Sequence, residues 1–436
     1  MIPPTLQDLP PKAARLCLDV ERFVREQLAG LPVAPPRSGA GDAGTPAGAS
    51  GDTASAGGEA SPSRPSGAAT HPPPHGQRRT PPAAAPAAPG PKATEPRPTV
   101  LVAFSGGVDS TALLLILHYL APRLGWRIAA AHCDHMLRPE SAAEARDAAD
   151  QCAALGIPFL SEAVDVAALA HNQGMGIEEA GREARYAFLE HTRRDQGATL
   201  IATGHHLDDL AEDVLMRLVR GTGWPALAGM EAFAPDRALL RPLLLTPKAQ
   251  LRAFAAAIGT PWSEDASNQD RAFLRNRVRH GILPLFTAEN PAFLDAVAGL
   301  WRLARVDAAF WSQEVAAALA TALPGPSTPP PSAPSGLQKL DHINSACYTS
   351  SEQSLDILQT SSAQFAVSGL AALPQATRLR LYKQCLEALG PGQPLLTTLL
   401  ALDTAVLTGD GNKNFQFPGN KQARLHKGTL TFKKNS

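Results

Sequence analysis

The sequence predicts an α/β fold: a doubly wound parallel sheet, followed by a helical segment and a small α+β domain. Short apolar runs rich in β-branched residues alternate with helical patterns from residue 99 to about 245. Helical patterns alone continue to about residue 320, and short strand patterns return near the C-terminus. Strand–helix alternation is typical of parallel sheets that bind ligands at the carboxyl ends of their strands. We therefore expect the functional residues at that edge.

Each element has its own signal in the sequence. Apolar residues recur at helical spacing between charged residues over 12–29, which predicts an amphipathic helix. Strands are predicted at 99–104, 127–133, 157–164 and 198–203, and helices at 110–121, 141–155, 177–196 and 208–221. Further helices are predicted near 375–389 and 394–407, with short strands around 414–432.

Composition divides the chain into segments. Residues 31–98 are almost wholly Pro, Ala, Gly, Ser and Thr, with too few apolar side chains to offset the entropy of ordering. This stretch is predicted to be a disordered insertion, and a passive linker is favoured over a docking tether. The predicted division is an N-terminal helix (1–30), the insertion (31–98), a domain of alternating strands and helices (99–245), a helical segment (246–323), a linker (324–336) and a C-terminal domain (337–436).

Charge and cysteine content exclude several classes of protein. The chain has 436 residues with 40 Lys and Arg against 40 Asp and Glu, so net charge alone predicts no nucleic-acid partner. Its five cysteines are scattered without a C-x-x-C pair, which argues against a disulfide framework and against zinc or iron–sulfur ligation. No apolar run approaches 18 residues, and the N-terminus has no signal-peptide pattern. We expect a soluble, cytoplasmic protein with no membrane partner.

The strongest motif is S-G-G-V-D-S at 105–110, between the first predicted strand and the first helix of that region. Gly106 and Gly107 can adopt φ > 0, and Asp109 and Ser110 are good N-cap residues that predict the helix start. Such a turn aims backbone N–H groups and the positive end of a helix at one point, which suits phosphate. No lysine stands beside the glycines, and the chain has no G-x-x-x-x-G-K-[ST]. The pattern resembles the pyrophosphate-binding loop of the N-type ATP pyrophosphatases.

Four carboxylates follow the strand predicted at 198–203, in the sequence T-G-H-H-L-D-D-L-A-E-D. Like charges three and four residues apart destabilise a helix, and its N-terminus offsets only part of that cost. A cation is therefore expected, and Mg²⁺ is favoured over zinc because it prefers oxygen ligands and bridges carboxylates and phosphates. The residues concerned are Asp208, Asp209, Glu212 and Asp213.

Two weaker motifs precede these carboxylates. The strand at 127–133 leads into H-C-D-H-M-L-R, which puts Asp134 at a strand end where a nucleotide binds in this kind of sheet. An ordinary polar loop explains that stretch equally well. The helical pattern G-I-E-E-A-G-R-E-A-R-Y carries Arg182 and Arg185, but Glu–Arg pairs are common on any solvated helix.

Two basic clusters break the overall neutrality. No acidic residue occurs from Arg271 to Ala288, and guanidinium groups at this density suit phosphates, so we expect RNA backbone contacts there. The alternative, a solvated surface helix, normally includes glutamates. The first cluster comprises Arg271, Arg275, Arg277 and Arg279, and the second, in the C-terminal tail, comprises Lys413, Lys421, Arg424, Lys427, Lys433 and Lys434.

Taken in order, the motifs resemble those of the tRNA(Ile)-lysidine synthase family. The resemblance runs from residue 99 to about 285 through S-G-G-V-D-S, D-H-M-L-R, G-I-E-E-A-G-R-E-A-R-Y, H-H-L-D-D-L-A-E-D, R-G-T-G, L-A-G-M, R-P-L-L, D-A-S-N and R-N-R-V-R-H. The closing segment, with F-P-G-N at 417–420, resembles the family's first C-terminal substrate-binding domain. Leu210 and Asp213 depart from the family's usual D-D-Q-x-E-T, which has Gln and Thr at these positions.

The resemblance implies an ATP-dependent ligase that uses ATP and Mg²⁺ and acts on free L-lysine and an isoleucine tRNA with a C-A-U anticodon. The C2 oxygen of the wobble cytidine attacks the α-phosphate of ATP, and the lysine ε-amine then displaces AMP to give lysidine. That amine has a pKa of about 10.4 and needs a proton acceptor. Asp208, Asp209, Glu212 and His205 stay open as that acceptor. The oligomeric state also stays open, with a homodimer among the options.

The resemblance also implies roles for individual residues. Arg182 and Arg185 are implied to meet the base or the activated intermediate. The catalytic set is Asp109, Asp208, Asp209, Glu212, Arg182 and Arg185; the nucleotide-binding set is Ser105, Gly106, Gly107, Val108, Asp109, Ser110, Asp134 and His205; and the Mg²⁺ set is Asp109, Asp208 and Asp209. Two other functions stay open. One is tRNA thiolation, which typically needs the paired cysteines that this chain lacks, and the other is non-catalytic RNA binding with a retained nucleotide pocket.

Overall fold

The computed structural model describes residues 5–29, 97–138, 140–263, 274–322, 363–409 and 411–435. The predicted linker, all but the last two residues of the predicted insertion, and Arg271 lie outside these ranges. None of the helices within them combines the length and the apolar content needed to cross a membrane.

A 3₁₀ turn (Leu6–Asp8) and helix α1 (Pro11–Leu28) come first in the described residues, and an α/β unit follows. Its strands are β1 (Thr99–Ala103), β2 (Arg127–Asp134), β3 (Phe159–Ala163), β4 (Leu200–Ala202), β5 (Phe233–Ala234) and β6 (Leu239–Leu240). Its helices are α2 (Val108–Leu124), α3 (Ser141–Ala154), α4 (Val166–Gln173), α5 (Ile177–Asp195), α6 (Leu207–Val219) and α7 (Lys248–Ile258). Within the described ranges these strands form one sheet in the order β3-β2-β1-β4-β6-β5, parallel except for β5. The predicted fold class is confirmed.

Strand β1 is central, and its side chains alternate between two layers of helices. Val100 and Val102 are fully buried in the core that includes residues of α1, α2 and α7. Leu101 packs instead with Phe188 of α5 in a second core. A strand that is apolar on both faces is what a sheet covered by helices on both sides requires. Helix α1 is part of the first core, since Val24 has no exposed surface there.

Helix α2 begins at Val108, because Gly107 is its N-cap. The predicted cap at Asp109 or Ser110 is therefore wrong. Gly107 is extended (φ −73°, ψ 161°), and Ser110 Oγ donates a hydrogen bond back to the Gly107 carbonyl (2.9 Å). Asp109 consequently lies in the first helical turn, where its carboxylate is available for contacts with other elements.

The segment predicted to be wholly helical from 247 to 320 is interrupted. After α7 ends at Ile258, the chain passes the glycine turn, where Ser263 N donates to the Gly106 carbonyl (2.9 Å). After residue 273 come α8 (Leu274–Arg277), a π-helical turn (Val278–Ile282), α9 (Leu283–Glu289) and α10 (Phe293–Ala322). Strands β5 and β6 were not predicted, because two residues are too few for a periodic signal.

The C-terminal part has its own core. Strands β7 (Ala363–Ala366), β8 (Lys413–Phe417), β9 (Lys421–His426) and β10 (Thr429–Lys434) form an antiparallel sheet in the order β7-β10-β9-β8. Three helices contribute residues to the same core as this sheet: α11 (Val367–Ala371), α12 (Gln375–Ala388) and α13 (Leu396–Thr408). Helix α10 contributes to two cores, since Trp301 packs with α6 whereas Leu319 packs with Phe365 and Phe432 of the C-terminal sheet.

Lys421 is not part of a basic surface, and its predicted place in the C-terminal cluster is wrong. Its side chain is buried, and Nζ donates to the carbonyls of Leu386 (2.9 Å), Gly390 (3.0 Å) and Gly392 (2.6 Å). Burial lowers the pKa of this ammonium group. The role of Lys421 is thus to hold a loop to β9. Of the other members, Lys413, Arg424, Lys427 and Lys434 are exposed and Lys433 is half-buried.

Candidate active site

The glycine turn between β1 and α2 is the centre of the site. Gly106 has φ +80°, a left-handed conformation that favours glycine. Ser105 N–H donates to Ser110 Oγ (3.2 Å), which braces the turn. On the neighbouring β4–α6 turn, a Cβ at Gly204 would lie 3.2 Å from the Asp109 carbonyl, so the two turns approach closely. The first N–H groups of α2 therefore open into a corner with little side-chain bulk, which suits a phosphate.

Asp109 is the hub of a charged network beside this turn. Its Oδ2 lies 3.1 Å from Lys248 Nζ and 3.4 Å from His206 Nε2. Burial raises the pKa of this carboxyl, but His206 and Lys248 more than offset that effect and hold the pKa below its ordinary value. Oδ1 is buried and has no hydrogen-bond partner among the described residues. A buried acceptor without a partner is costly, which indicates that a ligand or cation completes the site.

His206 joins the glycine turn to helix α6, whose N-cap it forms. Its side chain is buried, and Nε2 lies 3.3 Å from Asp209 Oδ2 as well as beside Asp109. Nδ1 lies 3.6 Å from Asp208 Oδ2. Burial alone lowers the pKa of an imidazole, but these three carboxylates outweigh it and raise the pKa of His206 to about 9. The surrounding carboxylates therefore favour the protonated form of His206.

A second charged cluster lies one turn further along α6, and we call it the α6 quartet: Asp209, Glu212, Arg275 and Arg279. Glu212 is 1 % exposed and accepts from Arg275 Nε (2.8 Å) and Arg279 Nη2 (3.0 Å). Asp209 Oδ1 accepts from Arg275 Nη2 (2.8 Å) and Arg279 Nη2 (3.1 Å). The acids missing from the arginine-rich stretch are thus supplied by α6.

The α6 quartet removes the grounds for two predictions. Protein cations relieve the repulsion among the α6 carboxylates, so that repulsion is not evidence for Mg²⁺. Arg275 and Arg279 face acids, so their lack of acidic neighbours in sequence is not evidence for RNA contact. RNA contact stays a prediction for both, and for Arg277, which is exposed. Asp213 pairs within its own helix with Arg217 (2.9 Å).

His205 and a group of arginines border the same edge of the sheet. His205 Nδ1 lies 2.9 Å from Thr203 Oγ1, and burial together with nearby Arg241 lowers the pKa of His205 to about 3. The ring is therefore neutral. Arg241 follows β6 directly, is nearly buried, and donates from Nη1 to the Glu231 carbonyl (2.6 Å). Arg182 and Arg185 of α5 are both exposed, and the Arg182 guanidinium lies over the Tyr186 ring, 5.0 Å from its centroid.

Asp134 ends β2 as predicted, next to β1 in the sheet. Its Oδ1 accepts a hydrogen bond from the Met136 N–H (2.8 Å), so it stabilises the turn that leaves the strand. His132, two residues earlier, lies with Nδ1 2.9 Å from the Phe104 carbonyl. A nucleotide contact by Asp134 stays a prediction.

Three residues with evident roles were not predicted, namely Lys248, His206 and Arg241. Lys248 lies 139 positions beyond Asp109, and the order β1-β4-β6 brings its helix to the glycine turn. No local pattern carries that information. His206 carried little signal, because histidine is not among the residues preferred at an N-cap, although an acid follows three positions later as in a capping box. Arg241 could have been noticed as the first residue after a short apolar run.

The described residues contain no group of three or more His, Cys, Asp or Glu side chains arranged to hold a metal ion. Magnesium is commonly held by one or two carboxylates together with substrate phosphates. Asp109 fits that requirement through its unpartnered Oδ1. Asp209 fits less well, because its carboxylate is engaged by His206 and two arginines.

A glycine turn that joins the central parallel strand to a helix, with charged groups gathered at the same sheet edge, defines a nucleotide-binding protein of the PP-loop type. A family model described as PP-loop domain matches residues 86–286. The chain is 50% identical over 333 residues to the tRNA(Ile)-lysidine synthase of Nitratidesulfovibrio vulgaris, a match that spans 76% of this chain and 91% of that protein. The chain belongs to the tRNA(Ile)-lysidine synthase family.

Other similarities are more partial. The tRNA(Ile)-lysidine synthase of Enterococcus faecalis is 36% identical over 231 residues, covering 52% of this chain and 49% of that protein. Among solved structures, the U34-tRNA thiolase NcsA from Methanococcus maripaludis aligns over 48% of this chain and 74% of that chain, with a TM-score of 0.42 and 17% identity.

Proposed function

We propose that this protein is an ATP-dependent ligase that joins free L-lysine to C2 of the wobble cytidine in an isoleucine tRNA with a CAU anticodon. Its similarity to a named synthase over nine-tenths of that protein's length supports the reaction class. One observation in the site carries the proposal. His206 contacts both Asp109 at the glycine turn and Asp209 in the α6 quartet, so two charged clusters meet at a single histidine. Groups that act in two consecutive steps on one substrate must lie close together, as these two clusters do.

In the first step, the cytidine C2 oxygen forms a bond to the α-phosphorus of ATP, and the bond to pyrophosphate breaks. Amide groups of Gly106, Gly107 and Val108 would hold the phosphates, with Ser105 and Ser110 bracing the turn. Donors fixed before the reaction stabilise developing charge without reorganising. Asp109 would hold Mg²⁺, which neutralises charge on the leaving pyrophosphate when bound.

In the second step, the lysine amine forms a bond to C2, and the C2–oxygen bond breaks to release AMP. Free lysine carries a carboxylate and two amines, which would bind side chains of opposite charge, whereas the arginines and acids of the α6 quartet already pair with one another. His205 is a weak proton acceptor because its pKa is lowered to about 3. Asp208 and Asp209 also have lowered pKa values, since cations outweigh their burial. The proton acceptor therefore stays open among these three residues and Glu212.

The remaining roles complete this proposal. Arg182 and Arg185, exposed at the same sheet edge, would meet the tRNA or the adenylated base. The predicted segments 246–323 and 337–436 would bind the tRNA body, aided by the exposed basic residues of β8–β10. We further propose a cytoplasmic location, and a homodimer stays an option.

A single assay tests the function. The purified chain is incubated with labelled lysine, ATP, Mg²⁺ and total tRNA, and label in tRNA together with pyrophosphate release is measured. We expect both to require ATP and tRNA, and both to be lost in Asp109→Ala. Pyrophosphate release without lysine incorporation, or sulfur incorporation in place of lysine, overturns the proposal.

A further inference from the structure

Lys248 supplies the cation that the glycine turn itself lacks. It is the first residue of α7, and its Nζ lies 3.1 Å from Asp109 Oδ2. Its side chain is 32% exposed, so the protein does not enclose it completely. An ammonium group has three donors, and the contact with Asp109 occupies one of them.

The backbone of Lys248 is held firmly at this place. Its N–H donates to Asp208 Oδ2 (2.8 Å), and nearby the Leu207 N–H donates to the Thr246 carbonyl (3.0 Å). The beginnings of α6 and α7 are therefore joined by two hydrogen bonds. Leu251, one turn after Lys248, is fully buried in the same core as α2, which fixes α7 against the helix that carries Asp109. The reach of Nζ is thus restricted to the neighbourhood of the turn.

Electrostatics indicates what the remaining donors contact. A phosphate chain at the turn would bring several negative charges close to the Asp109 carboxylate, and unscreened like charges repel. His206 and Lys248 both contact Asp109 Oδ2, but the His206 side chain is buried, whereas the Lys248 side chain is partly exposed and can reach a ligand. The flexible side chain of Lys248 lets its ammonium group maintain the contact with Asp109 while it contacts a second anion.

We propose that Lys248 Nζ contacts the phosphate chain of the bound nucleotide, bridging Asp109 to ATP before the reaction and to pyrophosphate after it. The identity of the nucleotide rests on the proposed function. Lys248 thereby does, from 139 residues further along the chain, what the lysine of a G-x-x-x-x-G-K-[ST] loop does from within the loop.

The test is equilibrium binding to the full-length chain, measured by isothermal titration calorimetry with Mg-ATP and, separately, with pyrophosphate. Loss of one charge-assisted hydrogen bond predicts that Lys248→Ala weakens both by about 10- to 100-fold. Lys248→Arg keeps the cation and is expected to restore most of the affinity. The matched control is Arg252→Ala, which removes a positive charge from the exposed side of the same helix and should leave both affinities unchanged.

Steady-state kinetics distinguishes phosphate contact from a structural role. We expect Lys248→Ala to raise the KM for ATP while the KM for free lysine stays near that of the parent, with no large change in melting temperature. Parent-like binding of ATP and pyrophosphate in Lys248→Ala overturns the inference, as does an equal rise in both KM values. If the parent binds ATP through Lys248 but makes no lysidine, the inference stands and the proposed function fails.

Discussion

Glu212 is a buried carboxylate whose charge is balanced by two guanidinium groups from another part of the chain. Removing one member of such a cluster leaves the others buried without compensation, which costs more than the pair contributes. We expect Glu212→Gln, a nearly isosteric change, to lower the free energy of unfolding by about 3–5 kcal/mol. The measurement is denaturant unfolding of the two proteins.

The neighbouring residue provides the control. Asp213 pairs with Arg217 on the same helix, nearer to solvent, so Asp213→Asn should cost about 1 kcal/mol or less. Equal losses in the two variants would contradict the view that Glu212 is the buried anchor of the α6 quartet.

A substitution at Gly106 tests whether the backbone conformation of the glycine turn is needed for ATP binding. A Cβ there would meet nothing closer than Ser263 Oγ at 3.9 Å, so space is not limiting, but its φ of +80° is strained for alanine. Gly106→Ala should cost about 1–2 kcal/mol and weaken ATP binding, since the turn must distort. Gly299→Ala, in the open middle of α10, should instead stabilise by about 0.5–1 kcal/mol. Binding and melting measurements on both variants check this, and tight ATP binding by Gly106→Ala would contradict it.

At the scale of elements, periodicity predicts strands and helices but not what they meet. Strands at 99–104 and 127–133 lie within a residue or two of β1 and β2, since an apolar run between polar turns is a local signal. The beginning of α2 was misplaced because Gly107 caps it by extended backbone, without a side-chain signal. Lys421 was assigned to the surface because a buried lysine satisfied by three carbonyls is locally indistinguishable from a solvated one. Contacts between distant elements carry most of the site.

The pairing of α12 with α13 yields a prediction about pH. Asp403 is buried and accepts from Arg378 Nε (2.6 Å) and Nη2 (3.0 Å). Burial raises the pKa of Asp403, but Arg378 outweighs it and the pKa lies below its ordinary value. Because the folded pKa is depressed, this stabilisation is present above the unfolded value of about 3.9 and is lost as pH falls through the folded pKa.

We therefore expect Asp403→Asn to destabilise the C-terminal domain by about 3–5 kcal/mol at pH 7 and to differ least from the parent in strong acid. Hydrogen exchange of α12 and α13 at several pH values measures this. Glu387→Gln, which removes an exposed partner of Lys383, is the control and should change little. A deficit in Asp403→Asn that is as large in strong acid as at pH 7 would contradict the assignment.

At the scale of the whole molecule, the predicted insertion separates α1 from β1 along the chain, although these two elements share one core. Cys17, Val20 and Val24 of α1 are buried with residues of β1 and α2, so α1 belongs to the nucleotide-binding part despite its distance in sequence. Arg25 of α1 and Pro98, the last residue of the predicted insertion, both contact the corner between α2 and β2. Arg25 Nη2 donates to the Arg123 carbonyl (3.0 Å), and the Arg127 N–H donates to the Pro98 carbonyl (2.9 Å).

Because residues on both sides of the insertion contact the same corner, a short linker should be able to replace the insertion. We expect a chain in which residues 35–96 are replaced by a brief Gly/Ser linker to keep its melting temperature, its ATP affinity and its lysidine formation. The entropic cost of closing a flexible loop falls by only about 0.6 kcal/mol each time the loop length is halved. The shorter linker should therefore change the stability of the protein little. Removal of residues 1–34 should lower the stability far more, because each fully buried apolar side chain of α1 contributes about 1.5–3 kcal/mol to the free energy of unfolding. If the linker variant binds ATP normally but modifies tRNA poorly, the insertion takes part in tRNA binding and is not a passive connection.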